Sequence, residues 1–482
     1  MKVSALSADF YELTMMQGYF LTQNNPTVIF DMFYRSNPYK GGYVVFAGIH
    51  DLLKKIELFT FSKGDIEFLR SLGRFDDSFL AYLANFRFTG TILSVDEGTI
   101  VFPGEPLIRV EATMMEAQLI EGILLNTINY QSLIATKASR LYQASNKGEI
   151  MEFGLRRAQG PDGAISASRA SYIGGVSATS NTLAGKVFKI PIAGTMAHSW
   201  VMSFDSELES FRAFTEIFPN QSILLIDTYD TLGSGIENAI IVGQEMKAKG
   251  KSIGVRIDSG DLSYLSREIR KKLDAAGLED CRIYASNDLN EEIIETLVKD
   301  SVPIDSWGVG TNLVTGGSQS SLNGVYKLSA RKLSDNSWLP TMKISNTFEK
   351  ATTPGVKQLW RFFDETGGPL GDLITLEEEQ LDLNNDVVFY HPFSEADFFT
   401  MRKSRFVTAQ KLLKPVMEEG NRFKTTIRLD RVRQRAIDGL ETFHPSYKRM
   451  INPHIYKVSL SKQLKSLKTR LAIEGREKLN SH

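Results

Sequence analysis

Short apolar runs, each closed by a polar cluster, dominate the middle of the chain. They read GEIMEF-GLRRAQG (148–160), IPIAGT-MAHS (190–199), SILLID-TYDTLGSG (222–235), SIGVRID-SGD (252–261), CRIYAS-NDLN (281–290) and PIDSWGVG-T (303–311). The middle runs recur about every thirty residues, the length of one βα unit. Each is short and rich in β-branched residues, which predicts a strand buried on both faces of a parallel sheet. Helical spacers separate them, among them LSYLSREIRKKLDAAG (262–277), with a helix stop at Gly277, and LNEEIIETLVKDS (289–301). A polar cluster thus falls wherever a strand ends and its loop begins. In a (β/α) barrel, that is where the chemistry sits.

The flanks follow other periods. A helix is predicted from about Asp9, with Leu6, Phe10, Leu13, Met15 and Met16 on its apolar face. Strand signals follow at 28–34 and 43–49, and a helical stretch covers 50–86. Residues 88–112 alternate apolar and polar positions between Gly and Pro turns, as antiparallel strands do. Residues 115–145 have the apolar spacing of a long helix. GVYKLSARK (324–332) is the candidate strand to close the βα series, in which six or seven repeats can be counted but not eight. Residues 335–410 are mixed and loop-rich, with a strand at PGVKQLWRFF; 429–480 are helical and basic. The basic helices fit either an anionic partner or, more simply, a solvated amphipathic face. The fold class is therefore α/β: an irregular (β/α) barrel at 115–332, an N-terminal α/β domain at 1–114 and a C-terminal mixed and helical extension at 333–482.

Composition narrows the function classes. A chain of 482 residues suits two or three domains, and 42% hydrophobic with 23% charged residues is ordinary for a globular protein. A net charge of −1 gives no overall pull toward nucleic acid or an acidic membrane. The single cysteine, Cys281, excludes an internal disulfide and a Cys-rich metal site; it opens a strand, so it is expected in the core, and a reducing cytoplasm fits. The first twenty residues resemble neither a signal peptide nor a membrane span, and no apolar run of eighteen appears.

Five of the clusters carry candidate chemistry. Gly308, Gly310 and Thr311 suit a phosphate, because glycines let the backbone approach and free amides at a helix start donate to an anion; a tight turn is the plainer reading. Arg156 and Arg157 have the planar forks that diphosphate or carboxylate wants, or they form a surface ion pair. Asp227 and Asp230 follow an apolar strand, a partial likeness to the signature of flavodoxin-like phosphoribosyltransferases. They suit a ribose diol or the waters of Mg²⁺, or a helix cap. Strand alternation sends Arg256 and Asp258 to one face, either for a zwitterionic or anionic substrate or as a self-satisfied pair. His198, the one histidine of the series, can act as a base or as a nucleophile toward phosphate.

Taken in order, FGLRRAQGPDGA, AGTMAHS, DTYDT, VRIDSGDL, the SN of SNDLNE and GVGTNLVT resemble the motifs of the nicotinate phosphoribosyltransferase family. ADFYELTM resembles that family's TDLYxLTM start, and FYRSNPYKGGYVVFAG and PGVKQLWRF also fit. The likeness covers most of the chain. It implies a type II phosphoribosyltransferase joining nicotinate to 5-phosphoribosyl 1-diphosphate, with ATP as co-substrate through a phosphorylated histidine and Mg²⁺ with the phosphates. Carried over by position, His198 is the phosphorylated histidine; Tyr11, Thr195 and Arg256 contact nicotinate; Thr311 binds the phosphoribosyl substrate. On that reading Arg156 and Arg157 meet phosphate oxygens, and Asp227 and Asp258 serve ribose or Mg²⁺. Tyr11 is expected to reach the site of a neighbouring subunit, which implies a homodimer.

Two departures stand out: Ala8 replaces the hydroxyl residue before Asp9, and Ala-Ser-Asn-Asp appears where the loop often differs. The rival readings are a nicotinamide enzyme, a quinolinate enzyme, a nucleotide-sensing binding protein and a sugar-phosphate aldolase or isomerase. GLRRAQGPDG opposes the first. The second needs more cations for two carboxylates and no use of His198. His198, Arg256 and Thr311 argue against the third. The fourth wants a strand-end Lys, which the series lacks, or a Glu base, for which Glu152 is the one candidate.

Overall fold

Six strands make the central sheet of the computed structural model, which describes residues 3–343, 352–394, 396–423 and 427–480. They are β1 (Glu149–Glu152), β2 (Ala178–Thr179), β3 (Ile223–Leu225), β4 (Gly254–Ile257), β5 (Arg282–Ala285) and β6 (Ser306–Val309). All neighbours are parallel, in the order β2-β1-β6-β5-β4-β3. Read as a ring, that order is sequential: β6 returns to β1, and the one break falls between β2 and β3. The result is an open, curled half-barrel. The chain that crosses the break, residues 180–222, is the segment that carries His198.

One expectation changes here. The run 190–195 is not a strand; it makes a single bridge, Ile192 to Thr179. Pro191 lacks a ladder donor, and Ile192 is 57% exposed, so this run cannot sit within the sheet. The strand in its place, Ala178–Thr179, is two residues long.

Local chemistry fixes the loops at the strand ends. Asp261 accepts from the Tyr264 amide at 3.0 Å and starts helix Leu262–Ala275. Asn290 does the same for Glu291–Lys299 through the Ile293 amide at 2.9 Å. Helix Leu262–Ala275 turns Ser266, Ile269 and Leu273 inward, the spacing of one helical face. Burying Ile269 and Leu273 contributes about 1.5–3 kcal/mol each. Cys281 is 2% exposed at the start of β5, as expected, and burial pushes its thiol up to about 12, so it is inert packing.

Contacts group the chain into two units: Ile134–Ser320, which holds the half-barrel, and Met1–Leu133 together with Ser321–His482. The second unit holds two large sheets and a two-stranded one, Val44–Val45 with Ile100–Val101. One is seven-stranded and antiparallel, with Gly324–Lys332 paired to Thr27–Tyr34, which in turn pairs with Ile108–Thr113. Gly324–Lys332 therefore does not close the parallel series. Its neighbours run against it, and no βα crossover leads into it. The other large sheet has six strands, including Lys357–Phe363 and Pro369–Leu376. Segments 1–114 and 333–482, read apart in the sequence, share this unit.

The N-terminal helix is Phe10–Leu21; Asp9 caps it with Glu12 as reciprocal partner, so Ala8 costs no cap. Leu13 and Met16 are buried, whereas Phe10 and Met15 are exposed. The helical stretch 50–86 is three helices, Ile49–Glu57, Lys63–Ser71 and Asp77–Ala84, and the 43–49 strand signal yields only Val44–Val45. The C-terminal helix Lys462–Asn480 is not a wholly solvated face. Lys465 and Lys468 are buried, and their amines reach backbone carbonyls of His391, Ser394 and Pro392. Among the described residues, no helix is long and apolar enough to cross a membrane.

Candidate active site

The polar clusters of β3, β4 and β5 meet at the C-terminal end of the half-barrel. Asp227 lies two residues past β3 and its side chain is 1% exposed. One carboxylate oxygen stands 3.1 Å from His198 Nε2. The other accepts from the Asp258 amide at 3.0 Å and the Ser259 hydroxyl at 2.6 Å. A carboxylate held from both sides has little freedom, and it fixes the ring of a histidine whose own side chain remains 41% exposed. His198 opens the short helix His198–Met202 in the segment that spans the barrel break. That leaves Nδ1 free of Asp227 (the tautomer follows from Nε2–H donating to the carboxylate).

Arg256 rises from within β4 on the same face as Asp258, as strand alternation requires. Its guanidinium is engaged on three sides. Nε donates to Ser286 Oγ at 2.8 Å, Nη1 to Thr195 Oγ1 at 2.7 Å, and Nη2 stands 3.2 Å from Asp258 Oδ1. Ser286, one residue past β5, also donates to Asp258. Beneath the guanidinium lies the Phe153 ring, 5.8 Å from centroid to Cζ, a cation–π contact. The self-satisfied reading of Arg256 and Asp258 is realised in part: the two touch, yet Arg256 spends only one edge on Asp258. The structure also brings Thr195 to Arg256, which the sequence joined only through the family resemblance.

At β6, Gly308 has no room for a side chain: a Cβ would stand 2.7 Å from the Phe153 ring and 3.2 Å from Ser286 Cβ. Gly310 precedes the four-residue helix Thr311–Val314, whose first residue is exposed. Arg156 and Arg157 sit on the turn Leu155–Arg157, directly after β1, with both side chains exposed. Asp230 does not join the His198 cluster. It accepts from the Gly233 amide at 3.0 Å, the capping role. Tyr11 lies in the other unit, 47% exposed; burial of its hydroxyl, with Glu121, Glu12 and Asp9 nearby, pushes it up to about 12.

Three further side chains lie in runs already quoted, but spacing does not show what they touch. Ser286 and Ser259 are hydroxyls on loops, indistinguishable by spacing from turn residues. Glu152, 1% exposed, is no free base: it accepts from the Gly154 amide, from Ser168 Oγ at 2.8 Å and from Thr179 Oγ1 at 2.5 Å. Those bonds tie β1 to β2 and to helix Gly160–Ile173, a holding role within the half-barrel. Among the described residues, no group of three His, Cys, Asp or Glu side chains is placed to hold a metal.

Comparison with known proteins covers nearly the whole chain. Three family models match: the nicotinate phosphoribosyltransferase N-terminal domain over residues 6–129, the nicotinate phosphoribosyltransferase family over 149–366, and the nicotinate phosphoribosyltransferase C-terminal domain over 356–468. A nicotinate phosphoribosyltransferase of Bacillus subtilis is 39% identical over 480 residues, 98% of this chain and 96% of that one. The Homo sapiens relative of the same name is 32% identical over 521 residues, covering 96% and 95%. The crystal structure of human nicotinic acid phosphoribosyltransferase superposes with a TM-score of 0.85 at 30% identity, covering 96% of this chain and 99% of that one.

Proposed function

The chain belongs to the nicotinate phosphoribosyltransferase family, an enzyme that joins nicotinate to 5-phosphoribosyl 1-diphosphate in NAD salvage, and we propose that His198, held by Asp227, couples this transfer to ATP. The observation that carries the proposal is the two-sided grip on Asp227. One oxygen orients His198, and the other is tied to the strand-end loop that bears Asp258 and Ser259. A histidine oriented by a buried carboxylate through one nitrogen offers the other as nucleophile. Nδ1 takes the γ-phosphoryl group of ATP as the bond to ADP breaks. The phosphorylated ring adds negative charge and acceptor oxygens beside the loop of Asp258. Its hydrolysis returns the site to its first state.

In the transfer itself the pyridine nitrogen attacks the anomeric carbon as diphosphate departs. The transition state is oxocarbenium-like, so positioning and leaving-group stabilisation are the protein's main tasks. Arg256 and Thr195 form the carboxylate clamp, in line with their 2.7 Å contact. Tyr11 stacks on the pyridine from the partner subunit of a homodimer; its 47% exposure supports that reading. Arg156, Arg157, the Gly308–Gly310 backbone and Thr311 meet the phosphates.

Mg²⁺ suits this site as an ion that arrives with the diphosphate and keeps most of its waters. Both oxygens of Asp227 are in use, whereas Asp258 gives one oxygen to Arg256 and Ser286. Asp258 is therefore the carboxylate for a water-mediated contact, and the ion would offset charge on the leaving diphosphate. A single buried cysteine fits a cytoplasmic enzyme.

The test is product formation by the purified protein with phosphoribosyl diphosphate and Mg²⁺. Nicotinate, nicotinamide and quinolinate are supplied separately, each with and without ATP. The proposal expects nicotinate mononucleotide from nicotinate alone, faster with ATP, with ADP released in step. ATP-independent turnover would remove His198 from the cycle.

A further inference from the structure

The contacts around Arg256 point to a role for a residue outside the motif roles carried over above. Arg256 and Asp258 are two residues apart on one strand face, close enough for a fork-to-fork pair in which Nε and Nη2 both meet the carboxylate. That pair is not what forms. Only Nη2 meets Asp258, at 3.2 Å, while Nε is taken by Ser286 Oγ at 2.8 Å. The Ser286 hydroxyl in turn donates to the same Asp258 oxygen. Ser286 therefore stands between the Nε edge of the guanidinium and the carboxylate that would otherwise claim it.

The place is rigid. Ser286 is 3% exposed, its amide donates to the Ile257 carbonyl at 3.0 Å, and Gly308 leaves just the room its Cβ occupies. Without this hydroxyl, Nε would be a donor without its partner, on the same edge of the guanidinium whose Nη2 already stands 3.2 Å from Asp258. Closing onto Asp258 would turn the fork away from Thr195, 2.7 Å from Nη1 on the opposite edge.

We propose that Ser286 is a positioning residue for base selection: it keeps Arg256 from pairing fully with Asp258 and so holds the guanidinium ready for the substrate carboxylate. This rests on the reading of Arg256 as the nicotinate clamp. Ser286 makes no contact with substrate in this role; it acts through Arg256. The ligand class it selects is a planar pyridine monocarboxylate over the uncharged carboxamide.

The experiment compares Ser286→Ala, Ser286→Thr and Arg256→Ala with the unaltered protein. KM is measured separately for nicotinate and for phosphoribosyl diphosphate, together with the ratio of nicotinate to nicotinamide turnover. Ser286→Ala is expected to raise the nicotinate KM about tenfold or more, the size of one lost hydrogen bond to a charged group. The phosphoribosyl diphosphate KM should stay within about twofold. Nicotinamide, which needs no cation, should lose less, so the selectivity ratio falls. Ser286→Thr keeps the hydroxyl and should restore nicotinate binding. An unchanged nicotinate KM in Ser286→Ala, or equal losses for both bases and both substrates, overturns the proposal. If Arg256→Ala itself leaves the nicotinate KM unmoved, the clamp reading has failed, and that outcome is distinct from a silent Ser286→Ala beside a damaged Arg256→Ala.

Discussion

His198 Nε2 and Asp227 Oδ1 stand 3.1 Å apart across 29 residues of chain, and the second oxygen of Asp227 grips the loop after β4. Orientation of the His198 ring, the nucleophile of the proposed coupling, and placement of a neighbouring loop thus share one carboxylate. Removing its charge should act on both. Asp227→Asn is expected to lower ATP-stimulated turnover by about a hundredfold, the scale of losing an acid–base partner's orienting carboxylate. Acid-labile phosphate on the protein, followed by ³¹P NMR, should fall with it. Residues that act as a unit are not additive, so Asp227→Asn combined with His198→Ala should be little worse than His198→Ala alone. Fully additive losses would separate the two residues.

Arg256 uses Nε, Nη1 and Nη2 in three different directions. An ammonium cannot span that geometry. Arg256→Lys should therefore behave almost as Arg256→Ala, raising the nicotinate KM at least about tenfold despite the conserved charge. Steady-state kinetics with nicotinate as the varied substrate decide this. A lysine variant with near-normal KM would mean that charge alone recognises the carboxylate.

The contrast between these two clusters shows what the sequence could reveal. Arg256 and Asp258 are legible because a strand has a period of two, so their shared face follows from spacing. The His198–Asp227 contact is not, because it depends on how residues 180–222 cross the open edge of the sheet, and no periodicity encodes a loop's path. Parallel strands read as apolar runs at β3 to β6, yet Ala178–Thr179 is too short to give a pattern. Pro191 hid within a run whose composition otherwise suits a strand. Gly324–Lys332 was visible as a strand, but its partner was not. The antiparallel pairing with Thr27–Tyr34 joins residues about three hundred positions apart. Lys465 and Lys468 resist a reading by charge, because their amines turn inward to carbonyls that only the fold brings near.

Gly308 is a steric requirement of the site floor. A methyl group there would press on the Phe153 ring at 2.7 Å and on Ser286 Cβ at 3.2 Å. Gly308→Ala should cost about 1–3 kcal/mol of stability, the usual scale for overpacking. Because Phe153 lies under Arg256, nicotinate binding should weaken as well. Thermal unfolding and the nicotinate KM measure the two effects. A variant with unaltered Tm and KM would show that this floor can relax.

Glu12 gives the fold a pH dependence whose sign can be worked out. It is fully buried in the N-terminal helix, where it accepts from the Asp9 amide at 3.1 Å. Burial, reinforced by Glu121, raises its carboxyl from the ordinary 4.5 to about 8, although the amide bond pulls the other way. Below pH 4.5 the group is protonated in both folded and unfolded chains, and folding bears no penalty from it. As pH rises from 4.5 toward 8, the unfolded chain releases the proton while the folded chain keeps it, so stability falls with pH across that window. The slope is at most about 1.4 kcal/mol per pH unit. Glu12→Gln has no proton to release and still offers an oxygen to the Asp9 amide. Its Tm should therefore match the unaltered protein below pH 4.5 and exceed it increasingly toward pH 8. Parallel Tm curves across that range would mean that Glu12 is ionised in the folded protein, with its charge met by backbone donors.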